Sequence, residues 1–290
     1  MKLLPDGVYP TMVTPYRNNK IDYPAVDQIL DYYMESGCPG VFAVCTSSEI
    51  QQLSLEERIE LSKHIVDYVD HRMIVVASGH VSDSLEDQAK ELNEIAKTGV
   101  DVIVIITNRL DSNQEGDDVL IENGEKLLKH LDPNIKLGMY ESPIPYKRLL
   151  TPKIINWMKA KNRFYFIKDT CCDIDMMKER IDLMKGSTIK LYNANGQTLR
   201  DSMLLGAAGY SGIMSNFICK QTVELCNNLD ERLGTEVAFF SFIESKAYPA
   251  TGKYALSLHG IDLTLECRKP VDKITEYEKE LIRKMIEFYK

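Results

Sequence analysis

The fold class this sequence predicts is α/β, a closed (β/α)8 or TIM barrel with a C-terminal helical extension, and three observations carry it. Eight short apolar segments alternate with amphipathic helical ones between residues 7 and 214, and such alternation makes a parallel sheet covered by helices. The length of 290 residues accommodates one barrel of roughly 250 residues plus an appendage. No GxGxxG follows the first strand segment, which weighs against an open dinucleotide-binding sheet.

Residues 7–14 form the first strand, with Pro10 near its start. Asp22 caps the next helix, Pro24 lies in its first turn, and Val26, Ile29, Leu30 and Tyr33 are its buried stripe. Gly37 and Gly40 end it, and residues 41–44 are the second strand. Ser54 and Glu57 form a capping box ahead of a helix with Leu55, Ile59, Val66 and Val69 inward. The unit then repeats, with strands over 73–77, 100–106, 135–140, 164–168, 188–193 and 209–214. Between them lie a helix opened by Ser84 with Asp87 and closed by Gly99, then helical stretches over 116–131, 151–158, 175–184 and 198–205. From about residue 216 only helices follow, so the expected division is a barrel over 1–216 and a helical extension over 217–290. Thr275 with Glu278 opens the last helix, with Ile274, Tyr277, Leu281, Met285 and Phe288 as one stripe.

Composition narrows the function classes. A net charge of −8 without a Lys/Arg block argues against a nucleic-acid partner. No apolar run approaches the roughly 20 residues that span a bilayer, and the first residues carry no signal-peptide pattern. Seven scattered cysteines suit reduced thiols, so the expected location is cytoplasmic. Cys171-Cys172 reads as a strand-to-helix turn, and the five histidines lack ligand spacing, so no metal site is expected.

The chemistry centres on Phe164-Tyr165-Phe166-Ile167-Lys168-Asp169-Thr170, an aromatic and β-branched strand that ends in a lysine. Burial disfavours the charged form of an amine, and attack on a ketone carbonyl needs the neutral one. The competing fates for Lys168 are snorkelling to the surface and pairing with Asp169. In a barrel, active sites form where strands end and βα loops begin. The second strand ends in Thr46-Ser47, the fifth in Tyr140 and the sixth in Lys168, so all three can share one mouth. A phenol beside an amine can shuttle protons through a carbinolamine, and adjacent hydroxyls with free backbone N–H groups suit a carboxylate. Taken singly, Thr46-Ser47 is also turn chemistry and Tyr140 a core aromatic; the joint placement is what points to function.

These motifs resemble the class I pyruvate-dependent aldolases typified by dihydrodipicolinate synthase and N-acetylneuraminate lyase, over nearly the whole chain. Cys45-Thr46-Ser47-Ser48-Glu49 is similar to that family's Gly-(Ser/Thr)-Thr-Gly-Glu loop, Tyr140-Glu141-Ser142-Pro143 to its tyrosine and nearby proline, and Ile167-Lys168-Asp169-Thr170 to its lysine strand. Residues 191–216, Lys253-Tyr254-Ala255-Leu256 and Arg268-Lys269-Pro270 continue the likeness. The resemblance implies that Lys168 forms a Schiff base with pyruvate or another 2-oxo acid. It further implies that Tyr140 relays protons, that Thr46 and Ser47 hold the carboxylate, and that the backbone near Ser211 lines the pocket. It implies no metal or organic cofactor, small-molecule substrates only, and a homo-oligomer.

The departures concern the second substrate. Thr107-Asn108-Arg109-Leu110 lacks the synthase's second tyrosine, Pro145 stands where that enzyme has an arginine, and Gly196-Gln197 replaces the lyase's acidic pair. Cys45 and Ser48 replace loop glycines, which can strain a positive φ. The expectation is a lyase or aldolase of the same chemistry with a different aldehyde, Arg109 being a candidate for a second anionic group or, equally, a surface ion pair. Two alternatives stay open at this point: a sugar-acid dehydratase using the same imine, and a barrel that binds a 2-oxo acid without turnover.

Overall fold

The computed structural model describes residues 3–290. Eight parallel strands build the wall: β1 (Gly7–Val8), β2 (Gly40–Ala43), β3 (Ile74–Ala77), β4 (Val102–Ile106), β5 (Leu137–Tyr140), β6 (Phe164–Asp169), β7 (Lys190–Asn193) and β8 (Gly209–Tyr210). Each pairs with the next from β2 to β8, and β8 pairs with β1. The ring closes just past β1, where Phe42 N–H donates to Pro10 O at 2.9 Å and Met12 N–H to Phe42 O at 3.1 Å. The expected TIM barrel is therefore the observed fold. A small antiparallel hairpin, Tyr16–Arg17 with Lys20–Ile21, follows β1.

Eight helices cover the barrel: α1 (Tyr23–Glu35), α2 (Leu55–Val69), α3 (Leu85–Lys97), α4 (Asp117–Lys129), α5 (Pro152–Lys161), α6 (Ile174–Met184), α7 (Leu199–Leu204) and α8 (Cys219–Asn228). Three more follow: α9 (Glu231–Glu244), α10 (Ala250–Leu258) and α11 (Glu276–Glu287). The packing of α8 is against β1 and β8, whereas α10 packs on α11. None of the helices among the described residues is long and apolar enough to cross a membrane.

Local signals set the helix starts. Asp22 and Ser84 cap α1 and α3, and the Ser54/Glu57 and Thr275/Glu278 capping boxes open α2 and α11. Two stripes are rotated from expectation. In α2 the buried residues are Arg58, Leu61, Ser62, Ile65 and Val69. Arg58 turns inward because Glu91 pairs with it at 3.0 Å and Gly79 O accepts from it at 2.6 Å. In α11 the buried residues are Ile282, Met285 and Ile286, while Tyr277 and Phe288 are exposed. Among the long apolar side chains of that helix, tertiary packing selected the narrower aliphatic face over the broader aromatic one.

The core has two layers. Aliphatic residues fill the space between strands and helices, and the lumen holds Tyr9, Phe42, Tyr140, Phe166 and Tyr192 in ring contact. The register of β5 against β6 shifts between Leu137 and Gly138, so Leu137 lies opposite Phe164 and Gly138 opposite Phe166. A one-residue bulge switches which side chains face inward. Gly138 permits it, since a Cβ there would lie 3.0 Å from the Phe166 Cβ and carbonyl oxygen.

Candidate active site

Beyond the bulge, Phe166 and Lys168 point into the lumen, and Tyr140 lies directly opposite Lys168 in register. Lys168 is 4% exposed. Its Nζ sits 4.3 Å from the Tyr140 ring centroid and 5.5 Å from that of Phe42. Among the described residues it makes no hydrogen bond and no ion pair, so neither alternative fate applies: the amine does not reach the surface, and Asp169 is taken by others. The Asp169 carboxylate accepts from Cys171 N–H at 2.9 Å and pairs with Arg180 of α6.

Arg180 ties the two strand ends together. It also pairs with Glu141 at 2.8 Å, and its other contact is to Leu150 O at 2.6 Å. Glu141 in turn accepts from the Leu150 and Thr170 N–H groups at 2.6 and 2.8 Å. Burial opposes the Arg180 charge, but Glu141 and Asp169 outweigh it and its pKa is raised. Burial and then the Asp169 charge push Glu141 up to about 7, against the pull of Arg180. Tyr140 and Lys168 are the immediate neighbours of this network, which holds them side by side. Just past β4, Thr107 Oγ1 lies 2.7 Å from Arg148 O and 3.2 Å from Tyr140 O, and Asn108 Nδ2 reaches the Ser142, Ile144 and Tyr146 carbonyls.

Across the mouth, Thr46 and Ser47 lie in a 3₁₀ turn directly after β2. The Thr46 hydroxyl is 3.5 Å from that of Ser142, and Ser47 faces the Tyr248 phenol. The replaced loop glycines cause no strain at their own positions: Cys45 has φ −121°, and Ser48 Oγ accepts from Cys45 N–H and donates to Met12 O. The left-handed positions are Val44 (φ 43°) and Glu49 (φ 59°). A β-branched residue there is an outlier of the kind that collects at binding sites. Glu49 is fixed from the extension by Lys253 Nζ at 2.9 Å and Lys269 N–H at 2.7 Å.

Ser211 follows β8, with its hydroxyl on Tyr9 O at 2.9 Å and its N–H on Asn193 O at 2.7 Å. Through these two groups it joins β7, β8 and β1. Arg109 lies after β4 and pairs with Asp83 at 2.9 Å. The structure thus brings Lys168, Tyr140, Thr46 and Ser47 to one end of the barrel and puts Arg109 on the rim, engaged with its own partner.

Sequence reasoning missed Arg180, Asn108, Tyr248 and Glu244. Tyr248 lies between α9 and α10 and accepts from Asn216 Nδ2 at 3.2 Å. Glu244 ends α9, is 9% exposed, and has Tyr248 and Tyr210 as neighbours. The sequence held no signal for Glu244: Ser241 and Glu244 are buried while Phe239 and Phe242 of the same helix are 68% and 62% exposed, the reverse of what their polarity predicts.

The comparisons agree with this geometry. The Dihydrodipicolinate synthetase family model matches residues 4–288. The chain is 25% identical to the 4-hydroxy-tetrahydrodipicolinate synthase of Methanocaldococcus jannaschii over 97% of each chain. It is 26% identical to that of Methanococcus maripaludis over 94% of each. Among solved structures, a monomeric dihydrodipicolinate synthase variant aligns with TM-score 0.88 at 20% identity, over 97% of this chain and 96% of that one. A prophage protein of the same family from E. coli K12, solved with pyruvate, aligns with TM-score 0.85 at 19% identity over 98% of each. The fold, the lumenal lysine and the full-length match lead to one conclusion: the chain belongs to the dihydrodipicolinate synthetase family of pyruvate-dependent class I aldolases.

Proposed function

We propose that Lys168 is the Schiff-base residue, joining pyruvate or a related 2-oxo acid reversibly to an aldehyde. The observation that carries this is a buried amine without a hydrogen-bond or ion-pair partner, 4.3 Å from the centre of the Tyr140 ring at the ends of adjoining strands. Nζ attacks C2 of the 2-oxo acid, and the carbinolamine loses water to give an iminium ion. Loss of a C3 proton gives the enamine, whose C3 adds to the aldehyde carbon. The iminium re-forms in that step, and water then releases the product. Tyr140 relays the protons. Thr46 and Ser47 hold the carboxylate through hydroxyl and backbone N–H donors, and the backbone at Ser211 lines the same pocket. The pyruvate complex of the E. coli K12 relative supports this choice of first substrate.

Borohydride reduction with pyruvate, followed by peptide mass mapping, tests the reading. The expected result is a reduced pyruvate adduct on Lys168 and none in Lys168→Ala. An adduct on another lysine, or no adduct, overturns it. Pyruvate release from hydroxy-oxo acids then distinguishes turnover from binding alone.

The homo-oligomer and the cytoplasmic location belong to the same proposal. Phe239 and Phe242 give a second copy an apolar face to cover, and the cysteine usage suits a reducing compartment. Sedimentation velocity at micromolar protein should give a mass above the 33.1 kDa of one chain; a single species at that mass removes the oligomer.

A further inference from the structure

Glu244 is the last residue of α9 and is buried, with Tyr248, whose phenol faces Ser47, among its neighbours. Its helix is held over the end of β7 by Ser241, whose Cβ lies 2.9 Å from where a Cβ on Gly196 would sit. Oε2 is fully enclosed and has no hydrogen-bond partner among the described residues, and Glu244 forms no ion pair there. The titratable groups that face it are Lys168 of β6, Tyr210 of β8, and Tyr248 of the turn after α9. Buried side-chain oxygens are nearly always paired in native structures. A carboxyl buried among the groups of the site with one oxygen unpaired lacks a partner that a substrate hydroxyl would supply.

We propose that Glu244 determines specificity for the second substrate, its carboxyl hydrogen-bonding a hydroxyl on the chain of a neutral hydroxy-aldehyde. The inference rests on the Lys168 imine reading. Burial pushes the Glu244 carboxyl up to about 8, with the Lys168 charge opposing, so at neutral pH it has an O–H to donate. The surrounding cations do not favour an anionic aldehyde. Arg109 is paired with Asp83, Arg180 with Glu141 and Asp169, and Lys253 with Glu49, while Lys147 on the rim donates to Thr170 O.

The test measures kcat/KM for addition of pyruvate to D-glyceraldehyde, to propanal, which has the same carbon chain without hydroxyls, and to glyceraldehyde 3-phosphate. The ratio of the first two is independent of how much of a variant is folded. In the wild type it should favour glyceraldehyde. Glu244→Leu should lower the ratio about 10- to 100-fold, the range for a lost buried hydrogen bond. Glu244→Gln, whose amide both donates and accepts, should hold it within about threefold. A ratio unchanged in Glu244→Leu, or a wild type that prefers the phosphorylated aldehyde, overturns the inference. Borohydride trapping on the wild type separates the two ideas. An adduct at Lys168 with no change of ratio sinks only the Glu244 role, and a missing adduct sinks the imine reading beneath it.

Discussion

At Lys168 the neighbouring carboxylate is engaged elsewhere. Asp169 is the adjacent carboxylate, yet Arg180 engages it, and the amine is left over aromatic rings. Tyr140→Phe keeps the ring and removes the proton relay, so kcat should fall about 10²- to 10⁴-fold while borohydride trapping persists, slowed. An unaltered kcat would remove Tyr140 from the proton path. At Glu244 the same burial that leaves an O–H available has a cost in stability. Its carboxyl lies at about 8 in the folded state against 4.5 ordinarily, so the folded state holds the extra proton between those values. The contribution to stability is fully present below about 4.5 and is lost as pH rises through about 8, at no more than about 1.4 kcal/mol per pH unit. Urea midpoints at pH 5, 7 and 9 should fall more steeply for the wild type than for Glu244→Gln. Parallel slopes would show that the carboxyl keeps its ordinary value.

At the scale of elements, β5 and β6 depend on α6. Arg180 is buried beneath two carboxylates that flank the site residues, and removing it leaves both uncompensated. Loss of one partner from a buried charge network costs about 3–5 kcal/mol. Arg180→Met should therefore lower the urea-unfolding free energy by that amount. It should also reduce activity more than stability alone explains, because the Tyr140 and Lys168 backbones lose their common anchor. Unchanged stability would mean the network is not a brace. The helix caps were legible in the sequence because Ser54/Glu57 and Thr275/Glu278 are local pairs one turn apart. The buried face of α2 was not, because Arg58 goes inward only when Glu91, 33 residues away, is there to meet it.

At the scale of the molecule, the C-terminal helices complete the mouth as well as covering the barrel. Lys253 and Glu49 are both fully buried, and their contact locks the end of the Thr46–Ser48 turn to α10. Lys253→Met should cost about 3–5 kcal/mol and raise the KM for pyruvate, with the Lys168 adduct still formed at saturating pyruvate. A normal KM would show that the turn holds its shape unaided. The extension also supplies Tyr248 and Glu244, so a barrel cut before α9 would lack one wall of its site.

The alternation of apolar segments, the capping pairs and the lysine closing an aromatic strand are local in the chain, and from them the barrel and the Lys168–Tyr140 pair could be read directly. The bulge that aims Lys168 inward, the engagement of Asp169 by Arg180, and the descent of Glu244 from the extension depend on residues far apart in sequence. Burial and partner are properties of three-dimensional neighbours, and no periodicity along one chain records which distant side chain arrives to occupy a carboxylate or leaves it unpaired.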